Sequence, residues 1–176
     1  MHKIEEYKIT KFKKFRGREW DGFNATLSRG GKAVCLVDDD GRGGEMSFEW
    51  LDHKDGIKEY PAANHAGESV TRRMTAEEHA FNEAFNGMQY HFEYDNSVQD
   101  HSEDTIIEML IEEYDLNKSA KKKTLYKLKD SQEWYVINAP YSPRVEAHLT
   151  KKYGDNLLSI FNRDGYWKTE IMKTVG

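Results

Sequence analysis

The chain has 176 residues, a formal net charge of −5 at pH 7 and a single cysteine. This length favours one domain or two small subdomains that share a core. Aromatic residues make up 12% of the chain, which excludes a disordered composition because such side chains bury large areas. No apolar run reaches the roughly 18 residues that a membrane-spanning helix needs, so we expect a soluble globular protein.

The cysteine content and the first residues predict a cytoplasmic location. Residues 1–15 contain no apolar stretch of the kind found in a secretory signal. Cys35 has no second cysteine to pair with, and it lies in the apolar run AVCLV. We therefore expect a buried thiol in a reducing compartment.

The N-terminal third is predicted to form an antiparallel β-meander. In the run EEYKITKFKKF, Tyr7 and Ile9 alternate as in a strand. A helix face that includes Ile4, Phe12 and Phe15 fits nearly as well, and we assign a strand because β-prone runs follow. GFNATL and KAVCLV are joined by a glycine-containing turn, and EMSFEWL returns after a second turn.

The middle of the chain is predicted to be a loop, a helix and a strand. Residues 54–69 contain Gly, Pro and Asn without periodicity, which indicates a loop. A helix then begins at Thr75, because Thr75 and Glu78 match a capping box, and it ends at Gly87. The alternating run MQYHFEY predicts the strand.

The C-terminal part is predicted to hold two more helices and a second hairpin. Ser102 caps a helix over residues 103–115, and TLYKLKDSQEWYVIN forms a hairpin that turns at DSQ. A third helix begins after Ser142, with Pro143 in its first turn, and ends at Gly154. LLSIFN predicts a short strand, and GYWKTEIMKTV a final strand or helix.

These elements predict an α+β fold, because strands and helices are partly segregated along the chain. The expected architecture is an N-terminal antiparallel β-meander of three to four strands, followed by helices and a second β-hairpin. We expect an antiparallel β subdomain over residues 1–60, a loop or linker over 61–74, and an α+β subdomain over 75–176. The two subdomains are expected to pack as one compact unit.

The distribution of charge is the least ordinary feature of the chain. Residues 75–116 contain twelve Asp or Glu and no Lys or Arg, whereas residues 117–129 contain six Lys and no acid. Helix surfaces usually intersperse the two signs, because each i,i+4 Glu–Lys pair stabilises a helix by about 0.2–0.5 kcal/mol. The 103–115 helix has none of these pairs.

Two interpretations of the acidic helix follow. In the first, the lysines of KSAKKK, residues 118–123, fold back and neutralise it. In the second, its carboxylates lie opposite an apolar face and bind a host protein with a basic surface, as an imitation of a phosphate row. The expected partner-binding residues are Glu103, Asp104, Glu108, Glu112, Glu113 and Asp115.

The basic N-terminal strand suggests direct nucleic-acid binding as an alternative function. Cations interleaved with aromatic residues on a sheet are how some folds hold single strands. The candidate residues are Lys11, Lys13, Lys14, Arg16, Arg18 and Trp20. Lysines on a strand also protect a sheet edge from pairing with another chain, which is the structural explanation of the same pattern.

A second alternative is a small metal-dependent hydrolase that uses the loop VDDDGRGGE. Asp38, Asp39 and Asp40 are adjacent there, whereas calcium loops space their acids alternately, so a solvated turn explains the run equally. The sequence contains no nucleophile elbow, phosphate-binding loop or dinucleotide fingerprint. We therefore expect no cofactor and a protein that is not an enzyme.

The runs FKKFRGREWDGFNATLSRGGKAV, DDDGRGGEMSFEW and APYSPRVEAHLTKKYG resemble segments of small phage- and prophage-encoded proteins without an assigned activity. The resemblance covers about the first 50 residues and one later segment. It implies an interaction protein in the host cytoplasm that inhibits or redirects host machinery, including nucleic-acid-guided defence. The oligomeric state stays open.

Overall fold

Four antiparallel strands form the N-terminal sheet in the order β1-β2-β3-β4, which confirms the predicted meander. The computed structural model describes residues 3–17, 19, 21–63, 69–91 and 97–169. The four strands are β1 (Tyr7–Arg16), β2 (Asp21–Arg29), β3 (Lys32–Asp39) and β4 (Ser47–Trp50). Within the described ranges, no helix is both long and apolar enough to cross a membrane.

A β-bulge in β1 explains why its sequence is ambiguous between strand and helix. The pairing of β1 with β2 shifts between Ile9 and Lys11, so that Thr10 is an extra residue. Ile9 therefore faces Leu27, and Phe12 faces Ala25, on the same buried side of the sheet. The bulge interrupts the period of two that a regular strand would show.

Two further hairpins and two helices follow. Their bounds are β5 (Lys58–Ala63), β6 (Ser69–Met74), α1 (Ala76–Phe85), β7 (Gln89–His91), β8 (Val98–Asp100) and α2 (Glu103–Ala120). Thr75 and Glu78 form the predicted capping box at the start of α1, with the Glu78 amide donating to Thr75 Oγ1 at 3.1 Å. The strand predicted over residues 88–94 is present as β7, and its residues 92–94 lie outside the described residues.

Within the loop expected over residues 54–69 and the linker expected over 61–74, residues 58–63 and 69–74 are strand instead, and residues 64–68 lie outside the described residues. β5 and β6 pair antiparallel, from Lys58 opposite Met74 to Ala63 opposite Ser69. Most side chains of this ribbon are exposed on both faces. Met74 is the one buried residue among the described side chains of this ribbon, so the sequence shows too little hydrophobic alternation to predict the strand pair.

Aromatic rings of α1 and the sheet form the core of the first unit. Phe81 is fully buried and contacts the rings of Tyr7 at 4.9 Å and Trp50 at 5.7 Å between centroids. Tyr7 also donates a hydrogen bond to Glu77, and Arg29 forms an ion pair with the same carboxylate at 2.6 Å. These contacts fix the start of α1 against β1 and β2.

The remaining elements form a three-stranded sheet of order β10-β9-β11 with α3 beside it. They are β9 (Thr124–Leu128), β10 (Trp134–Ile137), α3 (Pro143–Tyr153), β11 (Leu157–Ile160) and α4 (Phe161–Asp164), and residues 166–169 are helical. The predicted hairpin, the third helix with its Ser142 cap and the LLSIFN strand are thereby confirmed. Tyr126, Leu128, Leu149 and Ile160 form the buried cluster.

The chain divides into two units, Met1–Ile111 and Glu112–Gly176. The division falls inside α2, whereas the sequence suggested a boundary at residues 61–74. The expected boundary followed from the loss of periodicity there. Because β5 and β6 form a solvated ribbon, that loss marks an exposed hairpin and not a division between units.

Candidate functional site

The acidic helix α2 is held by a cap and by an apolar face, as predicted. Ser102 Oγ accepts a hydrogen bond from the Thr105 amide at 3.3 Å, which satisfies one of the free amides of the first turn. Ile106, Ile107 and Leu110 are at most 1% exposed. Burial of these three side chains orients the helix, and it therefore decides where each carboxylate points.

Glu113 does not lie on the exposed face of α2, where the acids were expected; it is buried instead. It is only 6% exposed, and it accepts a hydrogen bond from Trp167 Nε1 at 3.1 Å. Glu113 follows Leu110 by three positions and Ile106 by seven, so it continues the apolar stripe. Its partner is 54 residues away in the sequence, and the stripe alone could not indicate a buried acid.

Glu103 and Glu112 also have partners within the chain. Glu103 is half-buried and accepts a hydrogen bond from Asn82 Nδ2 at 2.7 Å. Glu112 is exposed, and its carboxylate accepts from the Tyr166 hydroxyl at 2.5 Å. Asp115 is exposed. The six predicted residues therefore differ in availability, although they share one helix.

Carboxylates from three segments of the first unit come together at the start of α2. We name Asp39, Glu45, Asp104 and Glu108 the acidic patch. The Met46 amide donates to the Asp104 carboxylate, which ties α2 to the loop after β3. Glu45 and Glu108 are exposed, and Asp39 and Asp104 are half-buried.

The carboxylates of the acidic patch act on one another. Loss of hydration raises the pKa of Asp104, and the charges of Glu45 and Asp39 raise it further. The pKa of Glu108 is raised by loss of hydration, then by Asp104 and by Asp39. Among the described residues, neither Asp104 nor Glu108 forms an ion pair. The patch thus concentrates negative charge without a cation of its own.

Among the described residues, the lysines of the KSAKKK segment form no ion pair with Glu112 or Asp115. Lys118 belongs to α2 itself, and its Nζ lies 5.3 Å from the centre of the Tyr114 ring. In the described part of the second unit, no ion pair joins Glu112 or Asp115 to Lys118 or to residues 121–123. Neutralisation by the KSAKKK segment therefore finds no support at these two acids.

The basic strand β1 places its cations on an exposed edge of the sheet. Its described aromatic rings, those of Phe12 and Phe15, contact other residues of the sheet. Lys11 and Lys13 are exposed on the outer face, and Lys14 and Arg16 are also exposed. A Cβ atom at Gly22 would lie 2.6 Å from the Phe15 ring, so this ring covers the glycine.

Phe12 packs on Phe23 with 5.5 Å between ring centres. Phe12 is therefore not a free platform for stacking a base, whereas the ring of Phe15, which covers Gly22, remains 38% exposed. Arg18 and Trp20, the other two predicted contacts, lie outside the described residues.

The three adjacent aspartates serve the turn after β3. Asp38 accepts a hydrogen bond from the Asn24 amide on the neighbouring strand. Asp39 and Asp40 accept from the backbone amides of Gly41 and Arg42 at 2.8 and 2.9 Å. No group of three or more metal-ligating side chains occurs among the described residues. The loop geometry is that of a hairpin turn.

A cavity of about 920 Å³ in the first unit was not foreseen from the sequence. Trp50 and Met74 form part of its apolar wall, and Glu78 and Glu103 also line the cavity. Burial is the main cause that raises the pKa of each of these two carboxyls, and the charge of Glu78 adds to the shift at Glu103. Two such carboxyls can exchange protons with a bound molecule.

The other charged or basic groups that line this cavity include both signs. Its remaining charged or basic lining residues are Glu49, His53, Lys54 and Arg73. Cys35, which pairs with Trp50 across the strands, is fully buried, and burial raises its pKa to about 12. The thiol is therefore not a nucleophile. The lining therefore contains three carboxylates, the two cations Lys54 and Arg73, and one histidine.

Comparison with protein-family models, with curated proteins and with solved structures gives no match. None of these comparisons bears on the resemblance to phage proteins expected from the sequence segments. The acidic patch, the cavity and the basic surfaces have to be interpreted from their own chemistry.

Proposed function

We propose that this chain is a non-enzymatic interaction protein that binds a basic surface of another macromolecule through the acidic patch. The observation that carries the proposal is the convergence of four carboxylates from β3, its following loop and α2. Two of the four, Asp104 and Glu108, form no ion pair among the described residues.

The energetics of the acidic patch support this proposal. Like charges at i,i+4 destabilise a helix by about 0.2–0.5 kcal/mol, and Asp104 and Glu108 have this spacing. Burial adds a further cost, which appears as the raised pKa of both carboxyls. A basic partner would reverse both contributions, because an opposite charge favours the ionised form. Association would then be fast and salt-dependent.

The biological context is a further part of the proposal and depends on the resemblance to phage proteins. In that context the partner is a host protein with a groove that normally holds nucleic acid, and binding inhibits it, as in anti-defence proteins. Carboxylates would replace phosphates in the groove electrostatically. The proposed location is the host cytoplasm.

Capture from a bacterial host lysate tests the proposal. One variant neutralises the four carboxylates of the acidic patch, each Asp to Asn and each Glu to Gln. A matched control neutralises two Asp and two Glu that are exposed elsewhere: Asp55, Glu59, Glu133 and Asp155. Captured proteins are identified by mass spectrometry and eluted with a salt gradient.

We expect the wild type and the control to retain the same basic nucleic-acid-binding protein, and the patch variant to lose it. Elution should occur at moderate salt, because screening shortens the range of the attraction. Retention of the same protein by the patch variant, at the same salt concentration, would contradict the proposal.

A further inference from the structure

A second concave surface lies beside α3, and its charged groups are all basic. This groove has a volume of about 360 Å³. Its lining residues are Tyr126, Ile137, Arg144, Val145, His148, Leu149, Lys152 and Tyr153. Among these described residues there is no carboxylate. In a chain of net charge −5, such a groove is a local exception, and it differs from the larger cavity, whose signs are mixed.

The basic groups of the groove form a row along one side of the helix. Arg144, His148 and Lys152 follow one another at intervals of four residues, which places successive groups about 6 Å apart along the axis. All three are exposed, and within the described ranges none of them forms an ion pair.

Glu146 is the one acid of α3, and it is engaged elsewhere. Its carboxylate is bound by Arg163 at 2.7 Å and by the Tyr141 hydroxyl. It is therefore held by a cation of its own and does not pair with the basic row. The row keeps its positive charge.

Tyrosine rings lie next to the basic row. The hydroxyls of Tyr126 and Tyr153 are hydrogen bonded at 2.9 Å. Tyr135 stacks on Tyr126 with 5.4 Å between ring centres, and 38% of its surface is exposed. The hydrogen bond from Tyr126 and the contact with Lys152 lower the pKa of Tyr153, as expected beside positive charge.

We propose that this groove binds single-stranded nucleic acid, with the phosphates along Arg144, His148 and Lys152 and a base on the exposed Tyr135 ring. Aromatic rings beside a positively charged groove are the usual means of holding single strands without sequence preference. The row extends about 12 Å over two helical turns, which exceeds what one phosphate can occupy. This length favours a strand over a free nucleotide. The site is independent of the acidic patch.

Fluorescence anisotropy with a labelled ten-nucleotide oligo-dT at low salt tests the proposal on the full chain. The first variant, Arg144→Gln with Lys152→Gln, should weaken binding and reduce the slope of log K against log salt by about 1.4, since each phosphate contact to a single strand contributes about 0.7. Its matched control, Lys122→Gln with Lys151→Gln, removes two charges from exposed positions that do not line the groove, and should retain the wild-type slope.

The second variant, Tyr135→Leu, separates stacking from general attraction. It should weaken binding by roughly 5- to 150-fold, with thermal unfolding unchanged as a check on folding. AMP and inorganic phosphate serve as competitors, and neither should displace the oligonucleotide at equimolar concentration. The proposal is overturned if the wild type does not bind the oligonucleotide, if the control variant loses as much affinity as the first variant, or if AMP competes as well as the strand.

Discussion

Helices α2 and α3 carry charge in opposite ways. In α2 the acids outnumber the cations in the sequence, yet Glu113 is buried and Glu112 and Glu103 are bound to neighbouring side chains. In α3 the cations outnumber the acids in the sequence; its one acid is paired within the chain, and the three basic groups of the groove form no ion pair among the described residues. The acidic helix α2 therefore offers only part of its charge to a ligand, whereas the basic helix α3 offers an uninterrupted basic row.

The comparison teaches that hydrogen-bond partners decide which charges are available to a ligand. A count of charged residues along the chain gives the total charge. It does not give the part of that charge that stays available to a ligand after folding. Single substitutions can test this distinction, because each carboxylate of α2 has a different environment and therefore a different expected effect on stability.

The largest effect is expected at Glu113. Glu113→Leu leaves the buried Trp167 Nε1–H without this acceptor, and an unsatisfied buried donor costs about 1–3 kcal/mol. We expect the free energy of unfolding, measured in urea, to fall by that amount. Asp115→Asn, an exposed change on the same helix, should stay within about 0.5 kcal/mol.

A double-mutant cycle sharpens the assignment. Adding Trp167→Phe removes the donor as well, so the double variant should recover part of the loss. If Glu113→Leu were as mild as Asp115→Asn, Glu113 would not be a structural acid, and the contrast between the two helices would weaken.

A smaller effect is expected at the exposed Glu112. Tyr166→Phe removes the hydroxyl that donates to Glu112 at 2.5 Å, and an ordinary hydrogen bond contributes about 0.5–1.5 kcal/mol. The thermal unfolding midpoint should fall accordingly. The control is Tyr135→Phe, whose ring is partly exposed. If the unfolding midpoint changed equally in both variants, the hydrogen bond to Glu112 would make no specific contribution to stability.

An effect of opposite sign is expected at Glu108. Glu108→Gln removes the repulsion from Asp104 at i,i+4, so stability at pH 7 should rise by about 0.2–0.5 kcal/mol. The pKa of Glu108 is raised above its ordinary value of 4.5, so the folded state binds the proton more tightly than the unfolded state. The loss of folding stability caused by ionised Glu108 is therefore complete at neutral pH, and it is relieved as the pH falls.

Urea unfolding of the wild type and Glu108→Gln from pH 7 down to about pH 3 measures this difference. It should shrink with falling pH and vanish once the carboxyl is protonated in both states. Glu133→Gln, at an exposed site of the second unit, should show no such trend. A loss of stability in Glu108→Gln at pH 7 would indicate a favourable partner for Glu108 and contradict the unpaired acidic patch.

Local patterns in the sequence predicted most elements because local chemistry specifies them. The capping box at Thr75, the Ser142 cap and the apolar stripe of α2 depend on residues within two turns of each other. The β1 sequence was ambiguous between strand and helix because the bulge at Thr10 interrupts its two-residue hydrophobic period. The ribbon of β5 and β6 was missed because its largely exposed residues show no clear hydrophobic period. Neither leaves a hydrophobic signature.

Partners that are distant in sequence limited the prediction of the candidate sites. Glu113 meets Trp167, and Asp104 meets the backbone of Met46, through tertiary structure alone. The spacing of Arg144, His148 and Lys152 is visible in the sequence as a basic stripe. What the stripe could not show is that Tyr126 of β9 closes the groove beside it.

The smallest effect is expected from the lysines that seemed able to neutralise α2. Lys121, Lys122 and Lys123 are exposed, and no ion pair to Glu112 or Asp115 is present among the described residues. Because exposed charges without a partner contribute little, replacing all three with Gln should change the free energy of unfolding by less than about 0.5 kcal/mol. Measuring this in low and high salt separates the two interpretations of the acidic helix. A loss above 1 kcal/mol that disappears in high salt would mean that the lysines do stabilise it by neutralisation, and the acids of α2 would then be far less available to a partner.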